Sequence, residues 1–240
     1  MRSKKEKENQ EKLLKSFLNS PLPKEELVNN LFLYIKIQQL TDLLSNNYLY
    51  KLILNKTGYI FELGCRWGQR LSQFISLRGI YEPYNFNRRI IGFDTFEGFP
   101  NISCLDGNYH RMYKGSYNVT KDYEVYLDEV LTLIEAENPI SHIKKFDIVK
   151  GDINYTLKDY LSNNPEVIVS LIYFDLDLYE PTKNSIELLK EHIHKGTILA
   201  FDQLSHPNFP GETIALKEIL DINRLDIKKV PFSHVAYIKI

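Results

Sequence analysis

Carboxylates stand at the ends of several predicted strands of this chain. Glu62, Asp94, Asp175 and Asp202 each end a strand-like run, and Asp152 lies just beyond another. Because the carboxyl ends of parallel strands meet at one edge of a sheet, we expect these side chains to converge. Clustered like charges repel one another unless a cation or hydrogen-bond donors offset them. The pattern therefore predicts a polar cleft that binds a ligand.

The first of these strands leads into a glycine turn. Residues 59–63 form a short apolar run, Gly64 and Gly68 bracket the turn, and helical spacing begins at Gln69. Such a turn lets a ligand approach bare backbone and the N–H groups of the next helix. The pattern E-x-G-x-x-x-G differs from the dinucleotide pattern G-x-G-x-x-G, and Glu62 would repel a pyrophosphate. It favours a ligand with an amine or a positive charge, such as S-adenosylmethionine, although a purely structural turn is the alternative.

Four side chains at the strand ends suggest cofactor and metal chemistry. Asp94 follows the first strand by about 30 residues, the spacing at which an acid grips ribose hydroxyls in dinucleotide folds; the alternative is a helix cap. Asp175, Asp202 and the amide of Gln203 offer three hard oxygen ligands, which suit Mg²⁺. A metal ion there would lower the pKa of a bound hydroxyl. The alternative is that Asp177 and Asp202 only cap helices.

Two side chains are candidates for acid–base or nucleophilic chemistry. His206, in the loop after the fifth strand, could take a proton from a substrate hydroxyl near neutral pH, or it is an ordinary surface histidine. Cys65 lies in the glycine turn, but the sequence places no histidine or acid as its partner. A small side chain in a tight turn is the simpler interpretation of Cys65.

The order of elements predicts the fold class. Strands alternate with helices from residue 56 to the end, which indicates an α/β domain with a mostly parallel sheet covered on both faces. The last two strands, residues 225–231 and 234–240, are predicted to form an antiparallel hairpin. Residues 1–55 are predicted to be a helical N-terminal extension, with a possible turn at Asn46-Asn47. Residues 101–127 are irregular and aromatic, which is typical of a substrate lid.

Composition excludes several classes of protein. The 240 residues carry a formal net charge of −1, which argues against a dedicated nucleic-acid binder. No apolar stretch is long enough for a membrane span, and no signal peptide is visible. The two cysteines cannot build a disulfide framework, so we expect a cytoplasmic protein.

Three motifs make a resemblance specific. Residues 62–68 (E-L-G-C-R-W-G), 91–100 (I-G-F-D-T-F-E-G-F-P) and 175–182 (D-L-D-L-Y-E-P-T) resemble the macrocin O-methyltransferase family. Residues 201–212 (F-D-Q-L-S-H-P-N-F-P-G-E) look like the branch found in bacterial sugar and polysaccharide gene clusters. Members are class I methyltransferases with a Rossmann-like, doubly wound sheet. They use S-adenosylmethionine and often Mg²⁺, and they act on sugar hydroxyls.

The resemblance assigns roles to residues of this chain. The cofactor would be held by the glycine turn with its neighbours, by the acid after the second strand and by the turn after the third: Glu62, Gly64, Cys65, Gly68, Asp94, Thr95, Gly151 and Asp152. The metal would be held by Asp175, Asp202 and Gln203. Family members often have two adjacent acids after the fifth strand, and this chain has Asp-Gln instead. The lysine base of catechol-type relatives is absent, since Leu178 stands near that position.

We therefore expect an S-adenosylmethionine-dependent O-methyltransferase with Asp175 or His206 as the base. The expected acceptor is a sugar hydroxyl, in a nucleotide-linked sugar, and the expected assembly is a homodimer. Two alternatives stay open at this point. One is a metal-independent methyltransferase acting on a small amine or carboxylate, and the other is a non-catalytic binding subunit that keeps the fold.

Overall fold

The computed structural model describes residues 3–240. Within them the helices are α1 (Lys4–Leu18), α2 (Lys24–Asn29), α3 (Ile37–Leu52), α4 (Gln69–Tyr81), α5 (Tyr123–Ala136), α6 (Ile153–Asn163), α7 (Tyr179–Leu189) and α8 (Gly211–Ile219). The strands are β1 (Tyr59–Leu63), β2 (Ile90–Asp94), β3 (Phe146–Lys150), β4 (Val169–Phe174), β5 (Ile193–Phe201), β6 (Ile227–Lys229) and β7 (Ala236–Lys239). Short 3₁₀ segments cover Leu31–Tyr34, Cys104–Asp106, Lys190–His192 and Ile222–Arg224.

The strands form one mixed sheet in the order β3-β2-β1-β4-β5-β7-β6. The first five strands in this order are parallel to one another, while β7 pairs antiparallel with both β5 and β6. This confirms the predicted doubly wound, mostly parallel sheet with an antiparallel C-terminal end. The strand order reverses between β1 and β4, and in open α/β sheets ligands bind at such a switch point.

Apolar side chains fill both faces of the sheet. All six residues of β4 are buried, as expected for a central strand covered by helices on both sides. One apolar cluster includes Tyr50, Phe74 and Leu131, and the other includes Phe61 and Phe174. These two layers hold the strand ends in fixed positions, which is what a binding site at the sheet edge requires.

The chain divides into two compact units, the first ending at Asp42 and the second running from Leu43 to Ile240. Within the first unit the ring of Tyr34 packs edge-on against Phe17, with centroids 5.2 Å apart, and its hydroxyl donates to Ser20 Oγ at 2.9 Å. The predicted N-terminal helices are therefore present. No helix among residues 3–240 has both the length and the apolar character needed to cross a membrane.

The predicted turn at Asn46-Asn47 is wrong, because α3 continues through both residues. Asn46 Nδ2 donates to Gln73 Oε1 at 2.5 Å, and Asn47 Oδ1 accepts from the Tyr81 hydroxyl at 2.7 Å. Asparagine favours turns when its side chain bonds to nearby backbone. Here both amides instead bond to side chains of α4, and these tertiary contacts offset the low helix propensity.

Candidate active site

The predicted cleft opens at the switch point of the sheet. A cavity of about 260 Å³ lies at the carboxyl ends of β1, β2 and β4, and its lining includes Gly64, Asp94, Asp152, Asp175 and Asp177. The strands bring these residues together although they are far apart along the chain. The cavity is therefore polar, acidic and placed where α/β sheets bind ligands.

Arg70, which sequence reasoning missed, lies among the carboxylates. Its Nη1 donates to Glu62 Oε1 at 2.9 Å and to Asp175 Oδ2 at 3.1 Å, and its Nη2 is 3.9 Å from Asp202 Oδ1. Its Cζ is 3.6 Å from the ring centroid of Tyr173, a cation–π contact. The first turn of α4 thus supplies a cation that links three strand ends. The sequence signal was an arginine two residues after Gly68.

The acidic side chains nevertheless outnumber this cation, and their pKa values are raised. Burial, and then the charge of Asp202, raises the pKa of Asp175 to about 7 against the opposing effect of Arg70. Burial, and then the charges of Asp175 and Asp202, raises the pKa of Asp177 to about 8. Burial also raises the pKa of Glu62 to about 8, again opposed by Arg70. A cationic ligand would stabilise the ionised form of each group.

Two oxygens of this cluster have unused hydrogen-bonding capacity. Glu62 Oε2 and Asp177 Oδ1 are buried, and within residues 3–240 neither has a hydrogen-bond partner. Buried polar atoms are normally paired, so an orphaned acceptor favours a donor or a cation beside it. Glu62 Oε2 at the glycine turn and Asp177 Oδ1 after β4 are thus both free to accept a hydrogen bond.

Asp94 holds the glycine turn in shape. Its Oδ2 accepts the Arg66 N–H at 2.7 Å and its Oδ1 accepts the Phe96 N–H at 2.6 Å. Gly64 has φ +91°, and an added Cβ would lie 2.0 Å from the backbone oxygen of Asp175. Only glycine lets β1 and β4 end this close to each other. The turn is thus built to bring backbone against whatever fills the cavity.

The other predicted cofactor residues lie at or beside the cavity. Thr95, Gly151 and Asp152 are among its lining residues. Asp152 also caps α6, since its Oδ1 accepts the Asn154 N–H at 3.0 Å. The Thr95 hydroxyl donates to the Gly98 oxygen at 2.7 Å. These side chains keep two loops in place around the cavity, whatever further contacts they make with a ligand.

Cys65 is buried beneath the turn. Burial, and then the charges of Asp94 and Glu62, raises the pKa of the Cys65 thiol well above its usual value. A thiol that stays protonated is a poor nucleophile. Its Sγ would lie 3.2 Å from a Cβ added at Gly92 of β2, so a small side chain fits this position.

Asp202 and Gln203 lie together after β5. Asp202 Oδ1 accepts the Tyr173 hydroxyl at 3.0 Å and is 3.4 Å from His234 Nε2, and its Oδ2 accepts from Gln203 Nε2 at 2.9 Å. Burial alone would raise the pKa of Asp202, but His234 and Arg70 outweigh it, and the net pKa lies below its usual value. Asp202 is therefore the carboxylate of this cluster that stays ionised.

The structure places the two loop histidines differently. His206 packs its ring against Phe209, with centroids 5.2 Å apart, and its Nδ1 accepts the Asn208 N–H at 3.2 Å. His234, which sequence reasoning did not single out, reaches the carboxylate cluster through Asp202. The turn between β6 and β7 brings His234 there, and nothing in the local sequence shows that this turn folds back toward the cleft.

Glu212 is a second buried acid that sequence reasoning missed. At the start of α8, its Oε1 accepts the N–H groups of Leu176 and Asp177 at 3.3 and 3.4 Å, and its Oε2 accepts that of Gln203 at 3.0 Å. Burial, followed by the charge of Asp177, raises its pKa well above the usual value. Glu212 therefore ties the loop after β4 to the loop after β5.

The predicted lid is held beside the cavity. Asp106 Oδ1 accepts the Tyr179 N–H at 2.5 Å, and the ring of Tyr109 lies 5.1 Å from that of Phe209. Further along the chain, the Gly115 N–H donates to the Phe99 oxygen at 2.9 Å. Backbone and aromatic contacts thus fix the irregular segment next to the site.

The side chains predicted to bind magnesium have the type of donor atom that this ion prefers. Asp175, Asp202 and Gln203 carry hard oxygens, and a cation beside them would favour the ionised carboxylates. However, no three His, Cys, Asp or Glu side chains among residues 3–240 are arranged to hold a metal ion. In this arrangement the guanidinium of Arg70 lies between Asp175 and Asp202. Binding of Mg²⁺ at these residues would therefore require Arg70 to withdraw.

Two crystal structures of one methyltransferase resemble this chain over its whole length. A crystal structure of CalS11, a calicheamicin methyltransferase, matches with a TM-score of 0.97 and 43% identity over 100% of this chain and 94% of that one. An apo structure of CalS11, described as a TDP-rhamnose 3'-O-methyltransferase of calicheamicin biosynthesis, matches with a TM-score of 0.88 and 40% identity. It covers 100% of this chain and 96% of the other.

The chain belongs to the sugar O-methyltransferase family of CalS11. It has the class I methyltransferase fold and is an S-adenosylmethionine-dependent O-methyltransferase. The O-methyltransferase NovP shares the fold, with a TM-score of 0.61 and 16% identity over 83% of this chain and 79% of that one. Neither the protein-family models nor the curated protein sequences give a match.

Proposed function

We propose that this enzyme methylates a hydroxyl group of a nucleotide-linked sugar. The observation that carries the proposal is the full-length identity of 43% to an enzyme whose second structure is described as a TDP-rhamnose 3'-O-methyltransferase. The acidic cleft is consistent with it, since a sugar hydroxyl needs an acceptor for its proton. Membership of the macrocin branch, a role in bacterial polysaccharide biosynthesis and a cytoplasmic location are parts of the same proposal.

S-adenosylmethionine supplies an electrophilic methyl group on a sulfonium. In our proposal the backbone of the turn from Gly64 to Gly68 and the side chain of Glu62 hold its methionine part. Asp94 and Thr95 hold the ribose, and Gly151 and Asp152 lie by the adenine. Burial of Glu62 and its free Oε2 support this arrangement, because a buried acceptor favours a donor or cation beside it.

Asp175 is the proposed base. The acceptor oxygen forms its bond to the methyl carbon as the carbon–sulfur bond breaks, and the hydroxyl proton passes to the Asp175 carboxylate. The leaving group is a neutral thioether, so no acid is needed there. A pKa near 7 suits a base that works near neutral pH. Holding the two reactants in line supplies much of the rate.

His206 is the second proposed catalytic residue, on the strength of its place in the loop after β5. Its ring contacts Phe209, which is itself part of the cavity lining. From there it would act on the acceptor side of the cavity rather than within the carboxylate cluster.

Mg²⁺ is the proposed assisting ion, held by Asp175, Asp202 and Gln203. It would lower the pKa of the acceptor hydroxyl. Arg70 would release Asp175 and Asp202 and keep its contact with Glu62. Activity that is unchanged in excess EDTA would instead favour Arg70 as the permanent cation of the cleft.

A screen of nucleotide-sugars with isotope-labelled S-adenosylmethionine, with and without Mg²⁺, tests the proposed function. We expect the labelled methyl group to be transferred to a nucleotide-linked deoxyhexose such as TDP-rhamnose. We expect no transfer to small amines or carboxylates. Label transfer to a small amine or carboxylate in place of every sugar would contradict the proposal.

A further inference from the structure

Two arginines contact the ring of one tyrosine that lines the cavity. Arg66 Cζ is 5.2 Å and Arg111 Cζ is 5.1 Å from the ring centroid of Tyr117. Arg66 and Tyr117 line the cavity, and both arginines are exposed. Two guanidinium groups therefore share a single aromatic ring, one from the glycine turn and one from the predicted lid.

These guanidinium groups lack the carboxylate partners that other arginines have. Arg70, Arg78, Arg88 and Arg224 each form an ion pair with a carboxylate. Within residues 3–240, no carboxylate oxygen lies within 4.0 Å of a guanidinium nitrogen of Arg66 or Arg111, although the charge of Arg66 acts on the pKa of Asp94 and of Asp177. Two guanidinium groups that donate to no carboxylate are a suitable site for an anion, since guanidinium groups bind phosphate in a bidentate manner.

The backbone holds this arrangement in place. Arg66 has φ +46° and Tyr117 has φ +65°, a left-handed conformation that is uncommon for residues with a side chain. The Arg66 N–H is fixed by Asp94, and the Tyr117 ring packs 5.2 Å from that of Phe99. Uncommon backbone conformations tend to be kept where a ligand is bound.

We propose that Arg66 and Arg111, held against Tyr117, bind the diphosphate of a nucleotide-linked acceptor. This inference rests on the proposed function and specifies how that substrate class is recognised. The acceptor hydroxyl must reach the carboxylates inside the cavity. The diphosphate on the far side of the same sugar ring then lies toward the mouth, where the positive charge is.

Calorimetric titration of thymidine diphosphate into the enzyme loaded with S-adenosylhomocysteine tests the site. We expect Arg111→Ala and Arg66→Ala each to weaken binding about tenfold or more, because a charge-assisted hydrogen bond is lost. Arg111→Lys should recover part of the loss. Arg89→Ala is the matched control, because Arg89 lies over Tyr59 at the opposite end of β1, with its Cζ 5.9 Å from the ring centroid. This variant should bind thymidine diphosphate as tightly as the wild type does.

Several results would overturn the inference. They are an absence of thymidine diphosphate binding in the wild type, unchanged binding in both alanine variants, or an equal loss in the Arg89→Ala control. An equal loss of S-adenosylhomocysteine affinity in the variants would assign the pair to the cofactor carboxylate instead. Thermal melting of each variant checks that it is folded.

Methyl transfer measured on the same samples separates the two proposals. Transfer to TDP-rhamnose with unchanged diphosphate binding in the variants rejects the arginine pair and leaves the proposed function standing. Loss of diphosphate binding in the variants, in an enzyme that methylates no sugar, supports the pair and rejects the proposed function.

Discussion

Asp175 combines three properties at one residue: it ends the central strand β4, it pairs with Arg70, and its pKa lies near 7. The first property was readable from the sequence, because the acid follows an apolar run. The pairing was not, since it depends on the direction of a helix that begins more than 100 residues earlier. The same holds for His234, whose approach to Asp202 depends on the turn between β6 and β7.

We expect Asp175→Asn to reduce kcat by about 10²–10⁴-fold, because removal of a general base costs this much. Binding of S-adenosylhomocysteine, measured by calorimetry, should change only a few-fold, since the amide keeps the shape of the side chain. Asp128→Asn, which removes an exposed partner of Lys144, is the control. A kcat within threefold of the wild type would remove Asp175 from the mechanism.

Asp177 should make the ligand-free protein less stable as the pH rises. Its pKa in the fold, about 8, lies above the usual value, so the folded state holds the proton more tightly than the unfolded state. The stabilisation is complete below the usual pKa and is lost as the pH rises through about 8. Glu62 and Asp175 act in the same direction.

Thermal melting at pH 6.5 and pH 8.5 measures this effect. We expect Tm to fall by several degrees between the two, since ~1 kcal/mol corresponds to ~2–4 °C for a domain of this size. Asp177→Asn should reduce the fall, and Asp128→Asn should leave it unchanged. An equal fall in wild type and Asp177→Asn would show that Asp177 does not titrate as described.

At the scale of elements, the glycine turn depends on a close approach of two strands. Gly64→Ala should lower affinity for S-adenosylhomocysteine at least tenfold, because the new Cβ would lie 2.0 Å from the Asp175 oxygen. Gly115→Ala is the matched control, since Gly115 also has positive φ but its Cβ would meet nothing closer than 3.9 Å. Calorimetry compares the two. Equal affinities would show that the turn tolerates a side chain.

Elements with a strong local pattern were predicted well. The apolar runs that became β1, β2 and β4 stand out in the sequence, and each is completed by tertiary burial on both faces. The two closing strands were predicted at 225–231 and 234–240, whereas they cover Ile227–Lys229 and Ala236–Lys239. Helix α8 was not singled out, because glycine and proline before it obscure its start. The local pattern of apolar residues does not show where a strand ends, because tertiary contacts determine its last residue.

At the scale of the whole molecule, the first unit exposes many apolar side chains. Val28, Phe32, Leu33 and Ile37 are 66–73% exposed, which is typical of surfaces that bind a second chain. We expect the wild type to be a homodimer by light scattering, and Phe32→Asp with Leu33→Asp to shift it to monomer. Tyr84→Asp, at an exposed site in the second unit, is the control. A monomeric wild type at micromolar concentration would contradict this.

The acceptor was the part of the function that sequence reasoning left most open. Motifs at the strand ends identified the methyl donor chemistry, because that chemistry needs a glycine turn and acids at fixed places. In our proposal, acceptor recognition falls to the lid and to side chains such as Arg66 and Arg111, whose contacts with Tyr117 are set by packing. No periodicity in residues 101–127 encodes those contacts.

The chain contains a single tryptophan, Trp67, and it lies inside the glycine turn. Its indole is 42% exposed and meets the ring of Tyr123 edge-on, with centroids 4.8 Å apart. All indole fluorescence of the protein therefore originates within the turn that we propose binds the methyl donor. Emission excited at the indole band should change in intensity when the thioether product is added and stay constant in Trp67→Phe, which gives the enzyme a label-free optical titration.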